Sequence, residues 1–335
     1  MKLGLGLYRQ MLTPENFRFA RQAGATHIVA HLTNYFAESE KLPSADSQGG
    51  NYGRSLGEAP WSYEQLRDLK AAINAEGLEL AAIENFDPAH WYDVLLDGPR
   101  RAEQMEALKG IIRNMGRAGI PVMGYYFSLA GVYGWSKGAW ARGGAVAVGY
   151  VEAMAPQPTP IPAGQVWNMT YNPSASGEPV PLTPEAVMWE RLAAFLEELV
   201  PVAEEVGVRL AAHPDDPPLP ELRGTGRLIY RPERYQRLLD LVPSRANALE
   251  FCVGAISEMV SDQMDIYQAV DQYSQQGKIA YVHLRNVRGK VPNYHEVFVD
   301  EGDTDMAQVL RILHQNGFEG VVIPDHVPEM ECPAP

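Results

Sequence analysis

Four short apolar runs in the second half of the chain each end on a side chain that can bind a metal: VRLAAH at His213, ALEFC at Cys252, IAYVH at His283 and GVVIPD at Asp325. The intervals between these residues can hold a crossover helix and are too long for a local zinc finger or ribbon, so the four must meet through the fold. Between the runs lie PERYQRLLDLV (232–242), SDQMDIYQAVDQYSQQ (261–276) and TDMAQVLRILHQN (304–316), whose apolar residues recur at three and four. Buried runs rich in Val, Ile and Ala that alternate with helical patterns imply a parallel sheet with right-handed crossovers.

The first half keeps the rhythm with KLGLGL (2–7), THIVAH (26–31), LELAAIEN (78–85) and VMGYYF (122–127), separated by helical stretches around 14–23, 63–75 and 100–118. Eight strands of this kind predict an α/β fold, a (β/α)8 TIM barrel of about 250 residues enlarged by loop insertions, rather than two domains. The expectation is one barrel domain over 1–335. Chemistry in such barrels sits at the carboxyl ends of the strands, where all four candidate ligands fall.

With 46% hydrophobic and 21% charged residues the chain can bury a substantial core, and no apolar run approaches the roughly 20 residues of a membrane span. The opening MKLGLGLYRQML has no long apolar core with a small-residue cleavage site. Its two cysteines give no disulfide framework, with Cys252 ending a strand and Cys332 in a Pro-rich tail. A cytoplasmic protein is expected, with no membrane partner. The formal charge of −14 opposes binding to nucleic acid.

The segment 129–183 breaks the rhythm, with LAGVYGWSKGAWARGGAVAVGY followed by VEAMAPQPTPIPAGQ. It is too long for an ordinary connection, and Tyr133, Trp135, Trp140 and Trp167 argue against full disorder. A lid or a subunit contact in a homo-oligomer is expected there.

HPDDPP (213–218), FCVG (251–254), YVHLRNVRG (281–289), EVFVDEGDTDM (296–306) and IPDHVP (323–328) together resemble the mannonate dehydratase family in order and spacing. The resemblance is strong over about 210 to 328, and in the first half it rests on the opening GLGLY and on IENF (83–86). It implies a metal-dependent barrel that removes water from D-mannonate to give 2-keto-3-deoxy-D-gluconate, a step of hexuronate catabolism. It also implies the ligand set His213, Cys252, His283 and Asp325, the four that the strand-end argument selects by itself. The chain departs from the family after strand four, where it reads YYFSLAGVYGWSKGAW in place of an Asp-Trp-Thr-Arg type segment, so one pocket wall is expected to differ. The sequence stops ten residues after Asp325, which leads to the expectation of a missing final helix and a truncated chain.

Dehydrating a sugar acid means removing a weakly acidic proton beside a carboxylate, and a divalent ion chelated by the carboxylate and the 2-hydroxyl would neutralise the resulting charge. Arg285, two residues after His283 on the same strand, is expected to bind the substrate carboxylate through its planar guanidinium. His326, Asp303, Tyr294, His295 and Lys290 are candidates for acid, base or substrate contact, all expected in loops at the ligand end. His31, Glu84 and Asn85 finish strands two and three and can line the pocket. Glu250 shares a strand face with Cys252 and can point into the barrel. A buried Cys at a strand end is more often a small hydrophobe, and only the constellation makes Cys252 a ligand.

Two imidazoles, a thiolate and a carboxylate ordinarily favour zinc, whereas the resemblance implies manganese, with iron(II) as a further candidate. The leading reading is a sugar-acid dehydratase. A metal-dependent sugar isomerase or epimerase on the same barrel and a catalytically silent metal-binding homologue stand beside it.

Overall fold

The structure of the protein, a computed structural model, describes residues 1–35, 53, 55, 57–156 and 158–331; Cys332 lies outside the described residues. Eight parallel strands close a barrel: β1 (Lys2–Leu7), β2 (His27–His31), β3 (Glu79–Glu84), β4 (Val122–Tyr125), β5 (Arg209–Ala212), β6 (Asn247–Cys252), β7 (Ile279–Leu284) and β8 (Val321–Pro324). They pair in chain order and β8 returns to β1, the eight-stranded topology that the alternation predicts. The outer layer is built from α1 (Pro14–Gln22), α2 (Tyr63–Ala75), α3 (Pro88–Leu96), α4 (Arg101–Ala118), α5 (Glu185–Val206), α6 (Arg234–Leu241), α7 (Val253–Ser257), α8 (Ile266–Gln275) and α9 (Met306–Gln315). Among the described residues, no helix is long and apolar enough to cross a membrane.

Local sequence starts these helices. Thr13 caps α1 with Pro14 in its first turn, and Ser62 with Gln65 and Asp265 with Gln268 form capping boxes on α2 and α8. Helix α3 is mostly buried, including His90, Trp91, Val94 and Leu95, so it lacks the polar face that makes a helix periodic in sequence. It and the 22-residue α5, which carries Pro201 in its interior, lie outside the stretches singled out by periodicity.

Two cores follow from the closure. The larger packs the helices on the outer face of the sheet, with Leu108, Ile112, Leu192 and Phe195 all fully buried. The smaller fills the barrel interior with Val29, Ala82, Val122, Ala211, Ala248, Tyr281, Val321 and Ile323, side chains that are mostly short. Small residues below leave a polar layer above, at the carboxyl ends. Strand register aligns that layer: Cys252 sits opposite His283, and Glu84 opposite both His31 and Gly124.

Part of the 129–183 segment is a β-hairpin, Trp135–Ala141 with Ala145–Val151. It joins a second hairpin, Asn286–Lys290 with Asn293–Val297, in a four-stranded antiparallel sheet. Lys290, Tyr294 and His295 are therefore strand residues, not loop residues. In the second hairpin burial alternates, with Tyr294 and Glu296 buried and His295 only half-buried, as a one-sided sheet requires.

Candidate metal centre

The polar layer brings the strand-end residues together. A nitrogen of His213, the sulfur of Cys252 and a nitrogen of His283 all lie within 4.8 Å of one another, close enough to share one ion. Asp325 completes the group from the end of β8, its Oδ2 standing 3.6 Å from Cys252 Sγ and 3.7 Å from His283 Nδ1. The three long intervals between these residues thus close on one point at the barrel mouth.

Hydrogen bonds assign a nitrogen to each histidine. His213 Nδ1 is 2.7 Å from the Pro214 carbonyl, which only accepts, so Nδ1 donates and Nε2 is left to ligate. His283 is reversed: its Nε2 donates to Glu84 Oε2 at 3.1 Å, and its buried Nδ1 has no hydrogen-bond partner. An orphaned imidazole nitrogen beside a thiol and a carboxylate is what a metal site looks like without its ion. Burial would raise the Cys252 thiol, but the Arg285 guanidinium, His213 and His283 outweigh it and bring it down to about 6. The backbone N–H of Ala255, in the turn of α7 that follows directly, adds a donor at 3.4 Å to the same sulfur. Two imidazoles, a thiolate-prone cysteine and a carboxylate form a donor set that fits a divalent ion.

Below this set lies a buried pair of carboxylates. Glu250 Oε1 is 3.3 Å from the same His283 Nε2, and the Tyr281 hydroxyl donates to Glu84 at 3.2 Å. Burial opposes charge on Glu84, yet His31 and His283 hold it down to about 2, whereas burial and the facing Glu84 push Glu250 up to about 8. Gly124 makes room here, because a Cβ on it would stand 2.3 Å from the Tyr281 hydroxyl and 2.6 Å from Glu250 Oε2.

Arg285 is buried to 1% exposure, and its donors are all engaged. Nε reaches Asp325 at 3.0 Å, Nη1 reaches Glu258 at 2.8 Å and Glu296 at 2.7 Å, and Nη2 reaches Asp216 at 2.8 Å and Cys252 Sγ at 3.6 Å. A guanidinium has five N–H groups, so none remains for a substrate carboxylate. The expectation that Arg285 clamps the substrate is corrected: it sits under the ligands and holds them. The second glycine-dependent contact is here, since a Cβ on Gly254 of the FCVG run would lie 2.6 Å from Arg285 Nε.

Above the ligands opens a cavity of about 210 Å3. His31, Glu84, Asn85, His213, Asp216, His283, Asp325 and His326 line it together with Tyr8, Tyr35, Tyr126, Trp135 and Trp167, and none of its described lining residues is Lys or Arg. His326 donates from Nδ1 to Glu296 at 2.9 Å, while Nε2 lies 3.5 Å from Asp325 Oδ1. Burial works against its charge, but Asp325 and Glu296 raise His326 to about 9. Burial dominates at His31 and lowers it.

Three sequence candidates stand elsewhere. Asp303 is exposed and accepts from the Gly289 N–H at 2.8 Å, capping the second hairpin. Lys290 donates to the Met259 carbonyl at 2.7 Å, outside the cavity. Tyr294 is buried behind the wall, donating to Asp216 at 2.7 Å and accepting from Trp135 Nε1 at 3.1 Å. Sequence reading named Trp135 and Trp167 only as signs of order in the 129–183 segment, and passed over Tyr35, Tyr126 and Asp216 as cavity residues. Asp216 stands in the quoted HPDDPP run, but the aromatic positions show no pattern until the loops are folded.

Comparisons with known proteins agree with the geometry. A family model described as D-mannonate dehydratase matches residues 7–155 and 183–332. A mannonate dehydratase of Streptococcus agalactiae serotype V is 29% identical over 288 residues, 82% of this chain and 80% of that protein. One from Thermotoga maritima is 28% identical over 319 residues, 88% and 86% of the two chains. The crystal structure of mannonate dehydratase from Streptococcus suis serotype 2 superposes with a TM-score of 0.73 at 24% identity, covering 99% of this chain and 86% of that one.

Proposed function

The chain belongs to the D-mannonate dehydratase family of hydro-lyases, and from that premise we propose that it converts D-mannonate into 2-keto-3-deoxy-D-gluconate at the barrel mouth. The observation that carries this reading is the convergence of His213, Cys252, His283 and Asp325 beneath a cavity sized for a small molecule. These four are the proposed ligands of a divalent metal, with manganese(II) as the working ion and zinc as a tighter-binding competitor. When bound, such an ion supplies Lewis-acid neutralisation of the charge that develops as the C2 proton leaves.

The chain's own residues do the rest. Arg285 fixes Asp325 and Cys252 in register, so the ligand geometry survives turnover. His326 is the proposed general acid: Glu296 and Asp325 keep it charged, and it lines the cavity where the C3 hydroxyl departs as water. His31, which burial holds below the ordinary histidine range and which lines the same cavity, is the proposed acceptor of the C2 proton; it returns that proton to C3 of the enol left after C2–H and C3–O cleavage, while the enol O2–H proton recharges His326 as the 2-keto product forms. With no Lys or Arg among the described lining residues, the ion would be the cation that receives the substrate carboxylate. Residues 129–183 are proposed to belong to the single barrel domain as its cap, since Trp135 and Trp167 close one side of the cavity.

Mass-detected turnover of the manganese-loaded protein with D-mannonate and D-gluconate tests the reading. A product of D-mannonate lighter by one water, absent with Cys252→Ala, is expected. Isomerisation without mass change would replace this reading by the epimerase alternative.

A further inference from the structure

We infer that Glu84 and Glu250 are positioning residues that hold the His283 ring by its Nε2–H, so that Nδ1 is the nitrogen presented to the metal. The inference rests on the four-ligand reading proposed above and goes beyond it, since neither carboxylate is a member of that set.

His283 can meet an ion through either nitrogen, and the one that carries the proton cannot ligate. Within the four-ligand set Asp325, 3.7 Å from Nδ1, favours that nitrogen but does not hold the ring there. The decision comes from the opposite side of the ring, where Glu84 Oε2 accepts from Nε2 at 3.1 Å and Glu250 Oε1 stands 3.3 Å away. A charged carboxylate makes no hydrogen bond to an unprotonated nitrogen, so Glu84 selects the Nε2–H form, and Glu250 closes the same side of the ring. Glu84 is itself fixed by the Tyr281 hydroxyl at 3.2 Å, with His31 Nε2 3.7 Å from its other oxygen.

The cost of this arrangement shows that it is specific. Glu84 is 5% exposed and Glu250 fully buried, and two carboxylates side by side in a barrel interior are expensive unless something offsets them. Neither Glu250 oxygen has a well-formed hydrogen bond of its own, and the rings that face it are His283 at 3.3 Å and His213 at 4.0 Å. A metal on Nδ1 makes Nε2–H a stronger donor, so the pair and the ion stabilise each other through one imidazole.

Cobalt(II) titration of the full chain separates this inference from the reading beneath it, because the thiolate-to-cobalt absorption reports Cys252 directly. The wild type is expected to bind one equivalent with that band, and Cys252→Ala to lose the band. Glu84→Gln and Glu250→Gln should keep the band and the stoichiometry yet bind cobalt about 10–100-fold more weakly. Tyr281→Phe removes only the hydroxyl that anchors Glu84 and is expected to weaken binding less, which guards against variants that fail to fold. In 15N-histidine spectra of the zinc-loaded protein, His283 should be ligated at Nδ1 and protonated at Nε2. Unchanged cobalt affinity in both Gln variants, or ligation of His283 through Nε2, overturns the inference and leaves the four-ligand reading standing. Two equivalents in the wild type with one lost in Glu250→Gln also overturns it, since the carboxylates would then be ligands. A band that survives Cys252→Ala contradicts the four-ligand reading itself.

Discussion

Arg285 shows how much a single side chain can organise. Its five donors tie together residues from the loop after β5, from the end of β6, from the turn after α7, from the second hairpin and from the end of β8. Lysine offers three donors on a point charge and cannot span that set. Arg285→Lys is expected to lower stability by about 3–5 kcal/mol, because buried carboxylates lose their partner, and to weaken metal binding with it; thermal melts and cobalt titration check this. A melting temperature unchanged from wild type would show that the hub is not structural. The residue scale also marks what sequence can and cannot carry. His213, Cys252, His283 and Asp325 were legible because each ends an apolar run, and a strand's end fixes where its side chain goes. The role of Arg285 was not, because Glu258, Glu296 and Asp216 reach it only through the fold. Asp303 was misplaced for a related reason: a Gly-containing loop reads the same whether it caps a hairpin or faces substrate.

At the scale of elements, the barrel interior is a contest for volume. Gly124 on β4 leaves the space that Tyr281 and Glu250 occupy from across the sheet. Gly124→Ala is expected to cost about 1–3 kcal/mol by overpacking and to reduce metal affinity, because Glu250 must shift. Denaturant unfolding and cobalt titration read the two effects, and a stability equal to wild type would mean that the interior yields more than its contacts suggest. The eight barrel strands were legible from short runs of buried residues, and α1, α2, α4, α6, α8 and α9 from their periodicity. Helix α3 was not, since burial on most sides removes the period. The two hairpins escaped as well. Their strands pair with each other across about 140 residues of sequence, and the glycines of both hairpins, with Pro292 in the second, read locally as loop.

At the scale of the whole molecule, the cavity is lined by residues inside the family match except for Gly6 and Trp167. The family match skips residues 156–182, and Trp167 from that interval lines the cavity with its ring centroid 5.9 Å from those of Tyr35 and Tyr126. Trp167→Ala is expected to raise KM for the substrate several-fold with kcat little changed, the result of losing one aromatic contact that binds ground and transition state alike. A fall in kcat with KM unchanged would instead place Trp167 at the reacting atoms. The ion and the fold should also be linked, since an ion held by four strand ends binds only the closed barrel. Chelation is expected to lower the melting temperature, by an amount that corresponds to about 2.7 kcal/mol when the free ion stands at a hundred times its dissociation constant.

The central claim is that one divalent ion, held by His213, Cys252, His283 and Asp325, makes this barrel a dehydratase. The most direct measurement is turnover of D-mannonate by metal-stripped protein as manganese(II) is added back, with Cys252→Ala and His283→Ala carried alongside. Activity that rises to a plateau at one equivalent in the wild type and stays at background in both variants is the expected result. Full turnover by the stripped protein, or wild-type turnover by Cys252→Ala, would contradict it.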